Sequence, residues 1–241
     1  MTSKSLLITN SILLFFLLGC SHGKVEEQSV YIYTDSTGNY RQVIETKQSE
    51  NRLVTRKRLF VAGGKEPVEK SISVARLKED SSGIKLLPEA FDVEVWFNKK
   101  NYRSKGKTVS KEKAMYVKMD TPEENWAGTR KLSFPQGKRF CFFEQIPDCL
   151  RLFGYLNEEN FQEKIITVVW DSYPFTSEIY KGVRKNLFTA ATLNYEGDIE
   201  GVKRFVLQID NQLVFYEFES DDTLKKMFWI SQGITKERVL K

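Results

Sequence analysis

The chain has 241 residues, a net charge of +5 and an aromatic content of 13%. This supply of aromatic residues provides ample material for a hydrophobic core, which argues against disorder over most of the chain. The excess of basic over acidic residues is small, so it does not by itself indicate nucleic-acid binding. The length suits one all-β domain or two small domains.

The amino-terminal residues have the pattern of a secretory signal peptide. Lys4 gives a basic start, and a mostly apolar run follows from Leu6 to Leu18. That run is shorter than the roughly 20 residues that a membrane-spanning helix needs, so a permanent transmembrane anchor is the poorer interpretation. We therefore expect residues 1–19 to be a signal peptide that is removed on export, which also makes a nucleic-acid partner less plausible.

The run ends in Leu17-Leu18-Gly19-Cys20, a motif that resembles the lipobox of bacterial lipoproteins. In that family the cysteine thiol takes a diacylglycerol, the peptidase cuts before the cysteine, and the new amino terminus is often acylated, as with palmitate. The resemblance implies cleavage between Gly19 and Cys20 and a lipid anchor on Cys20. Two or three acyl chains hold a protein stably at a membrane where one does not. The alternative is an ordinary signal peptide that ends beside a chance cysteine.

The residue after the cysteine, Ser21, implies sorting to the outer membrane, because an Asp there marks inner-membrane retention in the best-known two-membrane bacteria. We expect the protein to be membrane-anchored on the periplasmic or the surface face of the bacterial envelope. Residues 20–29 are then the lipidated cysteine and a flexible tether. Residues 30–241 are predicted to form a single β-rich domain.

Short stretches of alternating apolar and polar residues recur from Val30 onward and indicate β-strands. Neighbouring strands are expected to pair because the loops are short. The fold class is therefore mainly β, a large curved antiparallel sheet, half-barrel or barrel-like, with one or two short helices. The predicted strands cover residues 30–33, 40–46, 53–61, 68–77, 91–97, 114–119, 129–134, 139–143, 165–170, 187–195, 203–209, 213–219 and 227–230.

One helix is predicted to begin near Pro147, with an apolar face that reaches Leu156, and a shorter one to run from Thr176 to Lys185. A lipid-anchored domain of this architecture resembles the LolA/LolB-like half-barrel of periplasmic lipoprotein carriers. The resemblance is one of architecture and carries over no binding residue.

A strongly basic segment separates two of the predicted strands. Residues 99–113 hold seven basic residues and one acidic residue, and the segment is predicted to be the tip of a hairpin. Near an anionic membrane each cation contributes about 1 kcal/mol, so the segment could contact anionic headgroups or an acidic polysaccharide. The alternative is a solvated tip without a binding role. The residues proposed for this contact are Lys99, Lys100, Arg103, Lys105 and Lys107.

Two cysteines remain once Cys20 carries lipid, and aromatic residues surround both of them. In an oxidising compartment the even pair Cys141 and Cys149 favours a disulfide, which would stabilise the fold by about 2–3 kcal/mol. The alternatives are two buried free thiols or a two-cysteine metal site. The surrounding aromatic residues form either a plain core or an apolar pocket; they are Phe140, Phe142, Phe143, Phe153 and Tyr155.

The residues available for catalysis favour a protein that is not an enzyme. The sole histidine, His22, falls in the predicted tether, which argues against Ser-His-Asp, Cys-His and most zinc-hydrolase sites. We therefore predict no catalytic residue, no metal site and no cofactor. A glycosidase needs only two carboxylates, so it stays as an unfavoured alternative. The candidate carboxylates are Asp92 with Glu94, Glu217 with Glu219, and Asp171 beside Trp170.

Three functional hypotheses follow from the sequence. The first is a non-catalytic envelope lipoprotein that acts as a structural or interaction module, with an envelope protein or a glycan as its partner. The second is a carrier or sensor that binds a lipid or another amphiphile within the curved sheet. The third is a carboxylate-based glycan hydrolase.

Replacing the lipobox cysteine tests the predicted anchor. We expect Cys20→Ser to abolish incorporation of labelled palmitate and to leave the uncleaved precursor, because serine lacks the nucleophilic thiol that receives the diacylglycerol. Cys141→Ser is the control and should still be labelled. Incorporation that persists in Cys20→Ser would contradict the prediction.

Overall fold

The computed structural model of the protein describes residues 27–35, 37–81, 83–97, 99–124, 126–136, 139–158 and 161–239. The predictions for the signal peptide, for Gly19, Cys20 and Ser21, and for His22 therefore fall on residues outside the described ranges. None of the helices within these ranges has the length and apolar character that crossing a membrane requires. The prediction of a mainly β fold is confirmed, and the fifteen strands found within these ranges belong to one sheet.

The first eight strands form an antiparallel meander in which each strand pairs with the next. Buried and half-buried residues alternate along these strands. In β5, for example, Val93 and Val95 are buried, whereas Asp92 and Glu94 are half-buried. Their bounds are β1 (Glu27–Thr34), β2 (Tyr40–Ser49), β3 (Arg52–Val61), β4 (Glu69–Asp80), β5 (Gly83–Phe97), β6 (Lys100–Val109), β7 (Ala114–Asp120) and β8 (Gly128–Ser133).

The other seven strands lead back to the first. β9 pairs in parallel with β10, whereas the other described pairs are antiparallel, and β15 pairs with β1 through Tyr33 and Arg238. β8 and β9 are the two edges, so the curved sheet is not closed. The bounds are β9 (Phe140–Phe142), β10 (Lys164–Val169), β11 (Phe188–Ile199), β12 (Val202–Ile209), β13 (Gln212–Phe218), β14 (Leu224–Trp229) and β15 (Ile234–Arg238).

Two segments of the chain fill the curve of the sheet. We call them the inner segments: residues 143–157, which contain α1 (Ile146–Leu152), and residues 170–187, which contain α2 (Thr176–Ile179). The Gln145 amide donates hydrogen bonds to the Ser73 carbonyl oxygen at 3.2 Å and to Thr55 Oγ1 at 3.3 Å. Phe143 stacks on Trp170 with ring centroids 4.7 Å apart. The face of the sheet that these segments contact is the inner face.

The predicted disulfide is present. It joins Cys141 in β9 to Cys149 in α1, whose Cα atoms are 6.4 Å apart. Both cysteines are buried. The bond therefore ties the first inner segment to an edge strand of the sheet.

The two ends of the sheet differ in the turns that they carry. The lower end is where β1 begins, and it carries the β2–β3, β4–β5 and β6–β7 turns. The upper end is where β1 ends, and it carries the β1–β2, β3–β4 and β5–β6 turns. β1 begins at Glu27, so it takes in the last three residues of the segment predicted to be a tether.

Three parts of the predicted fold need correction. The basic segment 99–113 is not a hairpin tip: most of it is β6, whose inner face carries the small residues Ser104 and Gly106 between long basic side chains. β15 was not predicted, because its five residues are all half-buried and show no alternation. The second helix is a single turn that ends at Ile179 instead of reaching Lys185, and the next residue, Tyr180, has an extended backbone and packs its ring on Trp229.

Gly106 permits a close approach between β6 and two large side chains of the core. A Cβ atom at this position would collide with the Phe91 ring and would lie 2.9 Å from Met115 Sδ. Both neighbours are buried, so they have little freedom to move away.

Gly106→Ala is therefore expected to lower the free energy of unfolding by about 1–3 kcal/mol, measured by chemical denaturation. In a Phe91→Leu background the same substitution should cost less, because the smaller side chain leaves room for the methyl group. Equal costs in the two backgrounds would show that the contact with Phe91 is not the cause.

Candidate functional site

A cluster of charged side chains lies on the inner face of the sheet. Lys57 of β3, Glu69 of β4 and Glu144 of the first inner segment are each less than 9% exposed. Lys57 Nζ lies 2.6 Å from Glu69 Oε1 and 2.8 Å from Glu144 Oε1. Lys236 of β15 approaches the same Glu144, with Nζ 3.2 Å from Oε2. We call these four residues the charged cluster; its two cations balance its two carboxylates.

Strand alternation and a chain reversal bring the cluster together. In Arg56-Lys57-Arg58 only the middle residue points inward, because it shares the inner face with Leu53 and Thr55. Glu144 follows β9 directly, in the 3₁₀ turn that leads into α1. The cluster was not predicted from the sequence, since 87 residues separate Lys57 from Glu144. The available signal was a lysine at an inward position of an alternating strand.

The charged forms of Lys57 and Glu144 stabilise each other. Burial opposes ionisation of Glu144, but the nearby Lys236 and Lys57 ammonium groups outweigh it and lower the pKa of Glu144 to about 2. Burial likewise opposes protonation of Lys57, but Glu144 and Glu69 raise its pKa well above the ordinary value. Both groups are therefore charged at neutral pH, because a buried charge persists where it is paired and hydrogen-bonded.

Asp171 lies near the cluster, and no ion pair joins it to another residue within the described ranges. Burial raises its pKa to about 6, although the Lys57 charge and a hydrogen bond from Ser73 Oγ, 2.7 Å away, act in the opposite direction. It is 3% exposed. This buried hydrogen bond joins the second inner segment to β4.

A cavity of about 610 Å³ extends from the charged cluster to the upper end of the sheet. Its rim includes Tyr40 and Val61, which are 48% and 44% exposed, so the cavity is open to solvent there. Its floor includes Lys57, Glu69, Glu144 and Lys236. Its walls are mainly apolar and include Leu59, Val61, Val68, Val95, Trp96, Ile179 and Ile234.

The floor of this cavity carries unused hydrogen-bonding groups. Gln42 is 5% exposed, and its Oε1 is buried without a partner. The hydroxyls of Tyr33 and Tyr180 have no hydrogen-bond partner among the described residues, and burial raises the pKa of both phenols above the ordinary value. Each hydroxyl therefore stays protonated at neutral pH and can donate as well as accept.

The basic residues predicted to contact an anionic surface do not act as one group. Lys99 lies in the β5–β6 turn, and Lys100 pairs with Glu123 at 3.2 Å, both at the upper end. Arg103 donates two hydrogen bonds to Asp92, at 2.9 and 2.7 Å. Lys105 and Lys107 lie on the outer face, towards the lower end, where they line a different depression.

The aromatic residues predicted either to line a pocket or to form core lie in the core. Phe140, Phe142, Phe143 and Tyr155 are less than 9% exposed, and Phe153 packs against them. None of the five lines the 610 Å³ cavity. The cavity therefore lies elsewhere, between the inner segments and the central strands.

The carboxylates considered for a hydrolase are held by basic or amide side chains. Asp92 pairs with Arg103 and Lys105, and Glu94 accepts a hydrogen bond from Asn101 at 2.7 Å. Glu217 pairs with Arg204 at 2.6 Å, and Glu219 pairs with Arg238. Within the described ranges, no group of three or more Cys, His, Asp or Glu side chains is placed to hold a metal ion.

Comparisons of the chain with protein-family models, with curated protein sequences and with solved structures each found no match.

Removal of the central cation tests the energetic role of the charged cluster. Lys57→Met leaves two carboxylates buried without their shared partner, so we expect the free energy of unfolding to fall by about 3–5 kcal/mol. Lys236→Met should cost less, because Glu144 keeps Lys57. Lys65→Met, in the exposed β3–β4 turn, is the control and should change stability little. Chemical denaturation at neutral pH measures all three, and equal effects of Lys57→Met and Lys65→Met would contradict the assignment.

Proposed function

We propose that the chain is the precursor of a non-catalytic, lipid-anchored envelope protein whose β-domain binds a small amphiphilic ligand in the 610 Å³ cavity. The anchoring part rests on Leu17-Leu18-Gly19-Cys20, the motif that resembles a lipobox. The Cys141–Cys149 disulfide is in keeping with an oxidising compartment. The binding part rests on the cavity.

The observation that carries the binding proposal is the contrast between the floor and the walls of the cavity. A volume of about 610 Å³ falls in the range of small-molecule sites, which join apolar walls to a few polar groups. Gln42 Oε1 is a buried acceptor without a donor, and such a group costs free energy unless a ligand or water satisfies it. A bound molecule with a hydrogen-bonding end would satisfy it.

The arrangement also indicates which way the ligand points. Gln42, Tyr33 and Tyr180 are buried, and the upper part of the lining joins the apolar residues Val61 and Val68 to the polar residues Thr34 and Asp35. We therefore place one polar end of the ligand at the buried groups and its apolar part against the valines. That end is uncharged, because the charged cluster is already balanced. It both donates and accepts hydrogen bonds, to Gln42 Oε1 and from the phenols of Tyr33 and Tyr180, as a hydroxyl or an amide group does.

The state of the carboxylates argues for binding without catalysis. A glycosidase needs one carboxyl group that is protonated as the acid. In the cavity floor, Lys57 and Lys236 hold Glu144 ionised, with a pKa of about 2. Asp171 has the raised pKa of an acid but is 3% exposed and does not line the cavity.

The test compares two valine-to-tryptophan variants of residues 20–241 carrying Cys20→Ser, a chain that retains every described element. Val61 lies on the rim and is 44% exposed, and Val30, on β1 and away from the cavity, is 47% exposed. With monolauroylglycerol as the probe, native mass spectrometry should show a one-to-one complex for the unsubstituted chain and for Val30→Trp. Val61→Trp should lose it, because the indole fills the entrance.

Gln42→Leu tests the polar floor in the same assay. It should weaken binding of monolauroylglycerol about tenfold, because it removes an acceptor for the ligand hydroxyls. Equal binding by Val61→Trp and Val30→Trp, or no complex with the unsubstituted chain, would contradict the proposal.

A further inference from the structure

The β4–β5 hairpin extends beyond its neighbouring strands at the lower end of the sheet. β3 begins at Arg52, which pairs with Arg76 of β4, and β6 pairs with β5 no further than Lys107, opposite Ala90. Within the described ranges, residues 77–80 therefore have no strand partner in β3 and residues 83–87 have none in β6. We call these two stretches the arm. The Leu77 N–H still donates a hydrogen bond to the Asn51 carbonyl oxygen at 2.9 Å, beside the start of β3.

The base of the arm is bent. The register between β4 and β5 shifts between Val74 and Ala75, so that Glu89 has no partner opposite it, and the neighbouring Pro88 lacks an N–H group. A bulge of this kind bends the strand that carries it. Thr108 Oγ1 donates a hydrogen bond to the Pro88 carbonyl oxygen at 2.7 Å and so fixes the bend against β6.

A groove of about 850 Å³ lies on the outer face beside this bend. Apolar residues of β4 and β5 contribute to its lining, among them Ile72, Val74 and Leu87. Basic residues from four strands, β3, β4, β6 and β7, also line it; they are Arg52, Arg76, Lys105, Lys107 and Lys118.

The groove carries an excess of positive charge. Its two carboxylates are Glu89, which Arg52 and Arg76 approach at 2.9 and 3.5 Å, and Asp92, which Lys105 approaches at 3.2 Å. Lys107 and Lys118 are exposed, and the structure gives neither of them an ion pair among the described residues. These two cations are therefore available to an anionic ligand.

The register of the sheet places the groove at the same end as the start of β1. Glu27 pairs with Gln48, Gln48 with Leu53, Leu53 with Ala75, and Ala75 with Pro88. Antiparallel partners lie directly across from one another. The groove around Pro88 is therefore level with the first residue of the sheet.

The short stretch between Cys20 and Glu27 limits how far this end can lie from a lipid anchor. Seven residues span at most about 24 Å when fully extended. Lys107 lies on β6, five strand spacings or about 24 Å from β1 along the sheet. The lower end of the sheet, from β1 as far as Lys107 on β6, can therefore reach a membrane that holds the anchor.

We propose that the outer-face groove binds anionic phospholipid headgroups of the membrane that holds the lipid anchor. This inference rests on the proposed anchoring at Cys20. Charge complementarity supplies the attraction, and the exposed Leu87, at 37%, gives the arm an apolar contact for the membrane interface. An acidic polysaccharide is the competing ligand, and the test is designed to detect it.

The test uses residues 20–241 with Cys20→Ser, so that no acyl chain contributes to binding. Sedimentation should show binding to vesicles of phosphatidylcholine with phosphatidylglycerol, weaker binding at high salt, and little binding to phosphatidylcholine alone. The double variant Lys107→Glu with Lys118→Glu should bind the anionic vesicles at least about tenfold more weakly. Lys65→Glu with Lys225→Glu, which makes the same charge change at exposed positions outside the groove, should bind within about twofold of the unsubstituted chain.

Three outcomes would overturn the inference: equal binding by the two double variants, equal binding to both kinds of vesicle, or binding of soluble polygalacturonate at the groove without binding to vesicles. The salt dependence of the unsubstituted chain keeps the test valid if a variant fails to fold. Failure of the proposed function is recognised separately, by palmitate labelling of Cys20 and by the Val61→Trp comparison, because neither depends on the groove.

Discussion

A curved sheet with one apolar face must cover that face, and here the chain covers it with its own inner segments. Residues 143–157 and 170–187 lie against strands that are far from them in sequence, and Gln145 binds the backbone of β4 directly. Because the first of these segments follows the edge strand β9, the disulfide that joins Cys141 to Cys149 fixes that segment to the edge of the sheet. The rest of the architecture depends on this covering.

The covering is apolar over most of its area and polar at its centre. There, Lys57 of β3 forms an ion pair with Glu144 of the first inner segment. The sheet and the inner segment are therefore joined by an ion pair as well as by packing. Buried pairs of this kind give little net stability but penalise any arrangement that separates the partners. The charged cluster thus disfavours other placements of the first inner segment, and the 610 Å³ cavity lies beside it.

The sequence predicted the parts of the fold that follow from local pattern. Strands such as β3 and β5 alternate clearly, and the paired cysteines indicated the disulfide. β6 was missed because its buried positions hold Ser104 and Gly106, which give no hydrophobic signal, and β15 because none of its residues is fully buried. The charged cluster and the basic groove combine residues from different strands, so they depend on register, which periodicity alone does not supply.

The pairing of the first strand has a mechanical consequence. β1 is bonded along its whole length to β2, from Glu27 opposite Gln48 to Thr34 opposite Arg41, whereas β15 meets it only near its far end. A pull on the amino terminus from a membrane anchor runs parallel to β1, so it loads these hydrogen bonds together in shear rather than one after another. Under the proposed anchoring at Cys20, the domain resists force at the end of the chain where the anchor would apply it.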